Sequence, residues 1–162
     1  MIPKEVSEAL EKILPVLTKY NVEVLAIGGL AVGYYGHNRV SGGPVKGDIK
    51  ADLDFWYKPT TDNYFKLIKA LKELDVDTME IERRTFDPKK SFLKIPHKSF
   101  HTDFLPQVTG LDSFEESKTK CTYLTIGDHQ VPVISYEDLV RNKQAVNRTI
   151  DKEDIDALKK KK

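Results

Sequence analysis

The sequence predicts an α/β (α+β) fold, a mixed, mainly antiparallel sheet flanked by helices, and three observations carry that prediction. Val24 to Ile27 is a continuous apolar run that stops at Gly28-Gly29 and passes into a short helical stretch, Leu30 to Tyr35, the order of strand, turn and helix. Asp52 and Asp54 open a second apolar run rich in aromatics, DLDFWY, and at strand period they share one side. Farther along, two pairs of strand-like runs are parted by turn residues, Pro96-His97-Lys98 in one and Gly127-Asp128-His129 in the other, the spacing of antiparallel hairpins.

Taken in order, Pro3 suits the first position of a helix, and Val6, Leu10, Ile13, Leu14 and Leu17 follow on one helical face. Pro15 is expected to kink or shorten that helix. Asn21 breaks the pattern ahead of a strand over Val22 to Ile27, so this helix is expected to pack beneath the sheet. TTDNYFKLIKALKEL, from Thr60 to Leu74, begins with capping residues and keeps Tyr64, Ile68, Leu71 and Leu74 on one stripe. Glu80 to Asp87 is polar and unassigned. Ser91 to Ile95 and Phe100 to Leu105 read as strands, Gly110 to Lys120 as loop or short helix, and Cys121 to Ile126 with Gln130 to Ile134 as a further strand pair. Ser135-Tyr136-Glu137-Asp138 resembles a capping box, opening a helix to about Asn147. A last helix covers roughly Lys152 to Leu158.

The chain has 162 residues, 40% hydrophobic and 31% charged, which suits one compact globular domain with an adequate core. We read 1–158 as that domain and 159–162 as a lysine tail, with no internal repeat. A formal net charge of +1 gives no global pull toward nucleic acid or membrane, though it leaves room for a local basic face. Cys121 is alone, so no intramolecular disulfide forms and a cytoplasmic setting is the simpler assignment. Lys4, Glu5, Glu8, Glu11 and Lys12 stand where a signal peptide needs an apolar core. No stretch is apolar for long enough to span a bilayer, and no membrane partner is expected.

The carboxylates carry the chemistry. Asp52 and Asp54, with Cα atoms about 7 Å apart on a strand, can converge on hard cations. His101-Thr102-Asp103-Phe104-Leu105 places a third carboxylate inside an apolar run, where a charge is costly to bury unless paired or metal-bound. Two such cations about 3.5 to 4 Å apart make a bound hydroxyl more acidic and neutralise phosphate charge. On that reading Asp52 and Asp54 are expected to bridge two Mg²⁺ or Mn²⁺ ions, with Asp103 holding the ion near an acceptor hydroxyl and helping to take its proton. A DxD alone also reads as an ordinary strand start; its place after the glycine turn, with a third Asp, favours the cation site. Gly28-Gly29 reads either as a plain turn or as a phosphate cradle at a helix N-terminus, and the carboxylates favour the cradle.

Other motifs are weighed beside these. Gly42-Gly43-Pro44-Val45-Lys46-Gly47 has the glycine spacing of a P-loop, but Asp48 and Ile49 stand where its Lys-Ser/Thr pair belongs. We reject a Walker A motif and read Ser41 to Lys50 as a loop beside the site, with Lys46 or Lys50 near substrate. His97 and His101 are four apart, but Pro96 and the strand pattern argue against a helical zinc pair. A structural role is favoured for His101, although it shares strand parity with Asp103. Tyr34, Tyr35, Trp56 and Tyr57 read as core rather than as base-stacking groups.

In order and kind, Gly28-Gly29, Arg39, Asp52-Leu53-Asp54 and Asp103 resemble the nucleotidyltransferase superfamily related to DNA polymerase beta, with its glycine turn, DxD strand and third Asp on a neighbouring strand. The nearer likeness is to small AbiEii-like, minimal nucleotidyltransferases, which read GGxAxxxxGxxR, a DLD strand, and later a lysine and an arginine near a C-terminal helix. Those proteins usually carry Arg-x-Thr just before the DxD, whereas Val40 to Ala51 intervene here. The resemblance implies a nucleotide-side role for Arg39, and contacts from Lys143 and Arg148 to the β- and γ-phosphates. Taken by itself, that C-terminal segment reads equally as a solvated helix face capped by Asp151. The activity implied is metal-dependent transfer of a nucleoside monophosphate from a nucleoside triphosphate to a hydroxyl of RNA, protein or a small molecule. The alternative is a non-catalytic nucleotide-binding or toxin–antitoxin-type interaction module with the same fold. A phosphotransferase using the same carboxylates is a third reading.

Overall fold

The computed structural model describes residues 2–36 and 51–161. Its elements are α1 (Lys4–Lys19), β1 (Val24–Ile27), α2 (Gly28–Tyr34), β2 (Ala51–Tyr57), α3 (Thr61–Glu73), α4 (Met79–Arg83), β3 (Leu93–Pro96), β4 (Phe100–Leu105), α5 (Phe114–Thr119), β5 (Thr122–Ile126), β6 (His129–Val133), α6 (Tyr136–Val146) and α7 (Thr149–Lys161). The strands form one sheet in the order β3-β4-β2-β1-β6-β5. Three of its pairings, β1·β2, β3·β4 and β5·β6, are antiparallel, and β1·β6 and β2·β4 are parallel. The sheet is therefore mixed and mainly antiparallel, as expected.

Burial follows the sequence pattern. β1 sits centrally and is buried at every residue, which its unbroken apolar run requires. β2 and β4 alternate instead: Leu53, Phe55, Thr102 and Phe104 are buried, while Asp52, Asp54, His101 and Asp103 stay partly exposed on the opposite face. Phe55 and Phe104 stack with ring centroids 5.5 Å apart. The helix α1 lays Leu10, Ile13, Leu14 and Leu17 onto this core.

Several boundaries differ from the sequence reading. The helix α1 continues through Pro15 to Lys19, with Pro3 at its cap rather than its first turn. The lost hydrogen bond at Pro15 is offset by the buried Leu14 and Leu17 on either side. Asn21, with φ of 55°, ends the helix in the left-handed conformation, and the amide of Val22 donates to Leu17 O at 2.9 Å. That delays β1 to Val24. α2 begins at Gly28 itself, the unassigned segment near Glu80 carries α4, and α7 runs on to Lys161, through lysines read as a tail.

One side chain fastens α3 to the sheet. Asn63, buried at 3% exposure, accepts from the amide of Glu23 at 2.8 Å and donates to the carbonyls of Glu23 and Lys58, both at 3.0 Å. The caps of α3, α5 and α6 are Thr60, Ser113 and Ser135, each accepting from the amide three residues on.

Candidate functional site

The sheet register assembles the site. β2 and β4 run in parallel and pair Asp52 with His101 and Asp54 with Asp103, while β3 pairs Lys94 with Asp103. Across the strands one row therefore reads Lys94, Asp103, Asp54 and then Ile27, the last residue of β1 before Gly28. Neighbouring strands lie about 4.8 Å apart, so carboxylates fifty residues apart in sequence become adjacent. Among the described residues no three His, Cys, Asp or Glu side chains close around a single point. The carboxylates form an open row of oxygens instead of a finished cage.

The glycine turn fits this row sterically. Gly28 has φ of +57°, and a Cβ placed there would lie 2.5 Å from Asp54 Oδ2. Only glycine adopts that conformation at no steric cost and leaves room for the carboxylate. The Gly29 amide donates to Asp54 Oδ2 at 3.3 Å. In this structure that amide, read from sequence as part of a phosphate cradle, is directed at Asp54.

Opposing influences act on Asp103. Burial pushes the Asp103 carboxyl above the usual carboxylate range, and the neighbouring Asp52 adds to that. Lys94, His101 and a hydrogen bond with Asp54 pull in the opposite direction, Lys94 most strongly. His101 Nδ1 stands 3.7 Å from Asp52 Oδ1. His97 belongs to the framework: its Nε2 lies 2.9 Å from Thr102 Oγ1, its ring stacks on Phe100 at 4.4 Å, and burial lowers its pKa.

The corner between α6 and α7 forms a second wall of the cleft. Asn147 ends α6 in the left-handed conformation with φ of 57°, turning the chain so that α7 packs back on α6. Lys143 is only 2% exposed, and its Nζ lies 3.1 Å from Asp151 Oδ1 and 3.2 Å from Asp154 Oδ2. Arg148 is 61% exposed; its Nε donates to Asp151 Oδ2 at 2.7 Å and its Nη2 to Asp151 Oδ1 at 3.0 Å. Burial pushes the Asp151 carboxyl up, but the hydrogen bonds from Arg148 and Lys143 outweigh it and hold it at about 2. Lys143 has three donors, two of them directed at these carboxylates.

A cleft of about 600 Å³ connects the two walls, bordered by Gly28 and Gly29, by Asp52, Asp54 and Asp103, and by Lys143 and Arg148. Arg39, Lys46 and Lys50, together with the loop over Ser41 to Lys50, lie outside the described residues. Lys94 and His101 also border the cleft. Sequence reasoning passed over Lys94 and favoured a structural role for His101. The alternation of Leu93, Lys94 and Ile95 was the available signal for Lys94. Trp56 and Tyr57 lie in the core, the former donating from Nε1 to Pro106 O at 3.0 Å.

No protein-family model matches the chain, and no curated protein matches it in sequence. Solved structures do share its fold. The lincosamide antibiotic adenylyltransferase LnuA, bound to lincomycin, superposes with a TM-score of 0.60 at 17% identity, covering 99% of each chain. TM1012 from Thermotoga maritima, itself proposed to be a nucleotidyltransferase, gives 0.60 at 15% identity over 100% of this chain and 97% of its own. The antibiotic-resistance factor ANT(2'')-Ia gives 0.51 at 18% identity over 83% of this chain and 68% of its own. At these identities the likeness concerns the fold: this chain has the architecture of those structures.

Proposed function

We propose that this chain is an enzyme that transfers a nucleoside monophosphate from a nucleoside triphosphate to a hydroxyl acceptor. The observation that carries the reading is the convergence of Asp52, Asp54 and Asp103 on one cleft with Gly28, Lys143 and Arg148. The shared fold supports it. So does the resemblance to minimal nucleotidyltransferases, AbiEii-like proteins among them, in the glycine turn and the DLD strand.

The donor set fits Mg²⁺ or Mn²⁺, since three carboxylates on one face present hard oxygens, the ligands these ions take. Asp52, Asp54 and Asp103 would hold the ions, which when bound neutralise phosphate charge and acidify the acceptor hydroxyl. Arg148, whose Nε and Nη2 are held by Asp151, takes the β- and γ-phosphates with the guanidinium donors left over, and the remaining donor of Lys143 supports it. Gly28 and Gly29 keep the nucleotide side open beside Asp54. In the transfer, the acceptor oxygen bonds to the α-phosphorus, the bond to the bridging oxygen breaks, pyrophosphate leaves, and the acceptor's proton passes to Asp103.

The acceptor we propose is a hydroxylated small molecule rather than RNA or protein. Two structures with this fold hold such compounds, lincomycin in LnuA and adenylyl-2''-tobramycin in ANT(2'')-Ia. Residues 1–158 act as one catalytic domain, and Arg39 joins the nucleotide side. A cytoplasmic setting accords with the single Cys121, and no helix among the described residues is long and apolar enough to cross a membrane. Calorimetry tests the site: Asp52→Asn with Asp54→Asn should abolish metal-dependent triphosphate binding. Unchanged affinity would place the site elsewhere.

A further inference from the structure

We propose that Lys94 is the resident counter-ion of the carboxylate row, competing with a free divalent cation at Asp103 and yielding when the cation arrives with a triphosphate. This rests on the assignment of Asp52, Asp54 and Asp103 as the cation site. The sheet register sets Lys94 directly beside Asp103. Leu93 and Ile95, at 3% and 4% exposure, fix the backbone on either side while the Lys94 side chain stays exposed.

Its balance of contacts differs from that of Lys143. The latter is clamped by two carboxylates at 3.1 and 3.2 Å. Lys94 acts on Asp103 through space, and among the described residues no carboxylate holds it in a direct ion pair; its ammonium lies 5.6 Å from the centre of the Phe92 ring. A charge that is close but not locked lowers the repulsion within the row and remains free to leave. Lys94 also borders a second cavity of about 360 Å³ along the β3 edge, where Asp75, Asp77 and Glu80 stand with one cation, Arg84. A flexible four-carbon stem gives the ammonium room to move toward those carboxylates once a divalent ion occupies the row. A bare divalent ion is repelled by this lysine, whereas an ion carried on a triphosphate arrives with net negative charge and meets no such repulsion. Lys94 thereby favours the loaded nucleotide over free metal.

The test is a titration of the full chain with Mn²⁺ alone, followed by electron paramagnetic resonance, on the wild type, Lys94→Gln, Lys94→Arg and Asp103→Asn. Removing one positive charge next to the row should tighten free Mn²⁺ binding by about tenfold in Lys94→Gln. Lys94→Arg should match the wild type, and Asp103→Asn should weaken binding. If Lys94→Gln binds Mn²⁺ no more tightly than the wild type while Asp103→Asn still weakens it, the counter-ion role is wrong and the cation site stands. If Asp103→Asn has no effect, or no protein binds Mn²⁺ with or without a triphosphate, the cation-site reading falls and this proposal with it.

Discussion

Gly28 shows at the residue scale how narrow the tolerances of the cleft are. Its left-handed backbone disfavours any side chain by about 1 to 2 kcal/mol, and a methyl group there would press on Asp54 at 2.5 Å. Gly28→Ala should therefore lower stability by at least that amount and weaken triphosphate binding, measured by urea unfolding and calorimetry; a variant with wild-type values for both would remove the turn from the site. Arg148 permits a cleaner comparison, because its side chain is mostly exposed. Arg148→Ala should weaken a triphosphate by about 1.5 to 3 kcal/mol and a monophosphate much less. Equal losses for the two ligands would make Arg148 a support for Asp151 and nothing more. The three aspartates were legible in sequence, because strand parity and an acid inside an apolar run need no partner to be recognised. Lys94 was not, since its role depends on which strand lies beside it. The burial of Lys143 was equally hidden, because it arises from the turn at Asn147 that brings Asp151 and Asp154 over it.

At the scale of elements, the corner of α6 and α7 and the root of α3 are held by buried polar groups whose worth can be measured. Asp151 titrates far below its ordinary value of 3.8, at about 2 in the folded chain. A depressed carboxyl stabilises the fold above its unfolded value and stops doing so as the pH falls through the folded one. About 2 kcal/mol should thus be lost between pH 4 and pH 2. The urea midpoint should drop over that interval, and Asp151→Asn, less stable at pH 6, should drop less; parallel curves would show that Asp151 is not the group responsible. Asn63→Ala would leave the part-buried amide of Glu23 without its acceptor, while the carbonyls of Glu23 and Lys58 keep the amides of Lys58 and Thr60 as donors, and should cost about 1 to 3 kcal/mol. A loss below 1 kcal/mol by thermal or urea unfolding would mean that water replaces the side chain. Helix and strand identities were readable from apolar period, yet Pro15 inside α1 was not, because tertiary packing outweighed local propensity. Asn63 looked like an ordinary first-turn residue; its three bonds cross to β1 and the end of β2, which no local pattern announces.

For the whole molecule, the sheet order matters more than any single element. Placing β4 between β3 and β2 puts Asp103 beside the DxD strand and Lys94 beside Asp103, in the cleft that Arg148 also borders. The mixed sheet was predictable because hairpin spacing recurs twice; the parallel pairing of β2 with β4 was not, since nothing in either run names its neighbour. The central claim is that this arrangement performs nucleotidyl transfer, with Asp103 on the acceptor side. It is tested most directly by incubating the protein with each of the four common triphosphates labelled at the α-phosphate, with Mg²⁺ or Mn²⁺ and the small-molecule fraction of a cell extract. The account predicts label transfer with pyrophosphate release by the wild type, and neither by Asp103→Asn, which should still bind the triphosphate through Asp52, Asp54 and Arg148. Absence of transfer and pyrophosphate release from the wild type with every triphosphate, or undiminished transfer by Asp103→Asn, would contradict it.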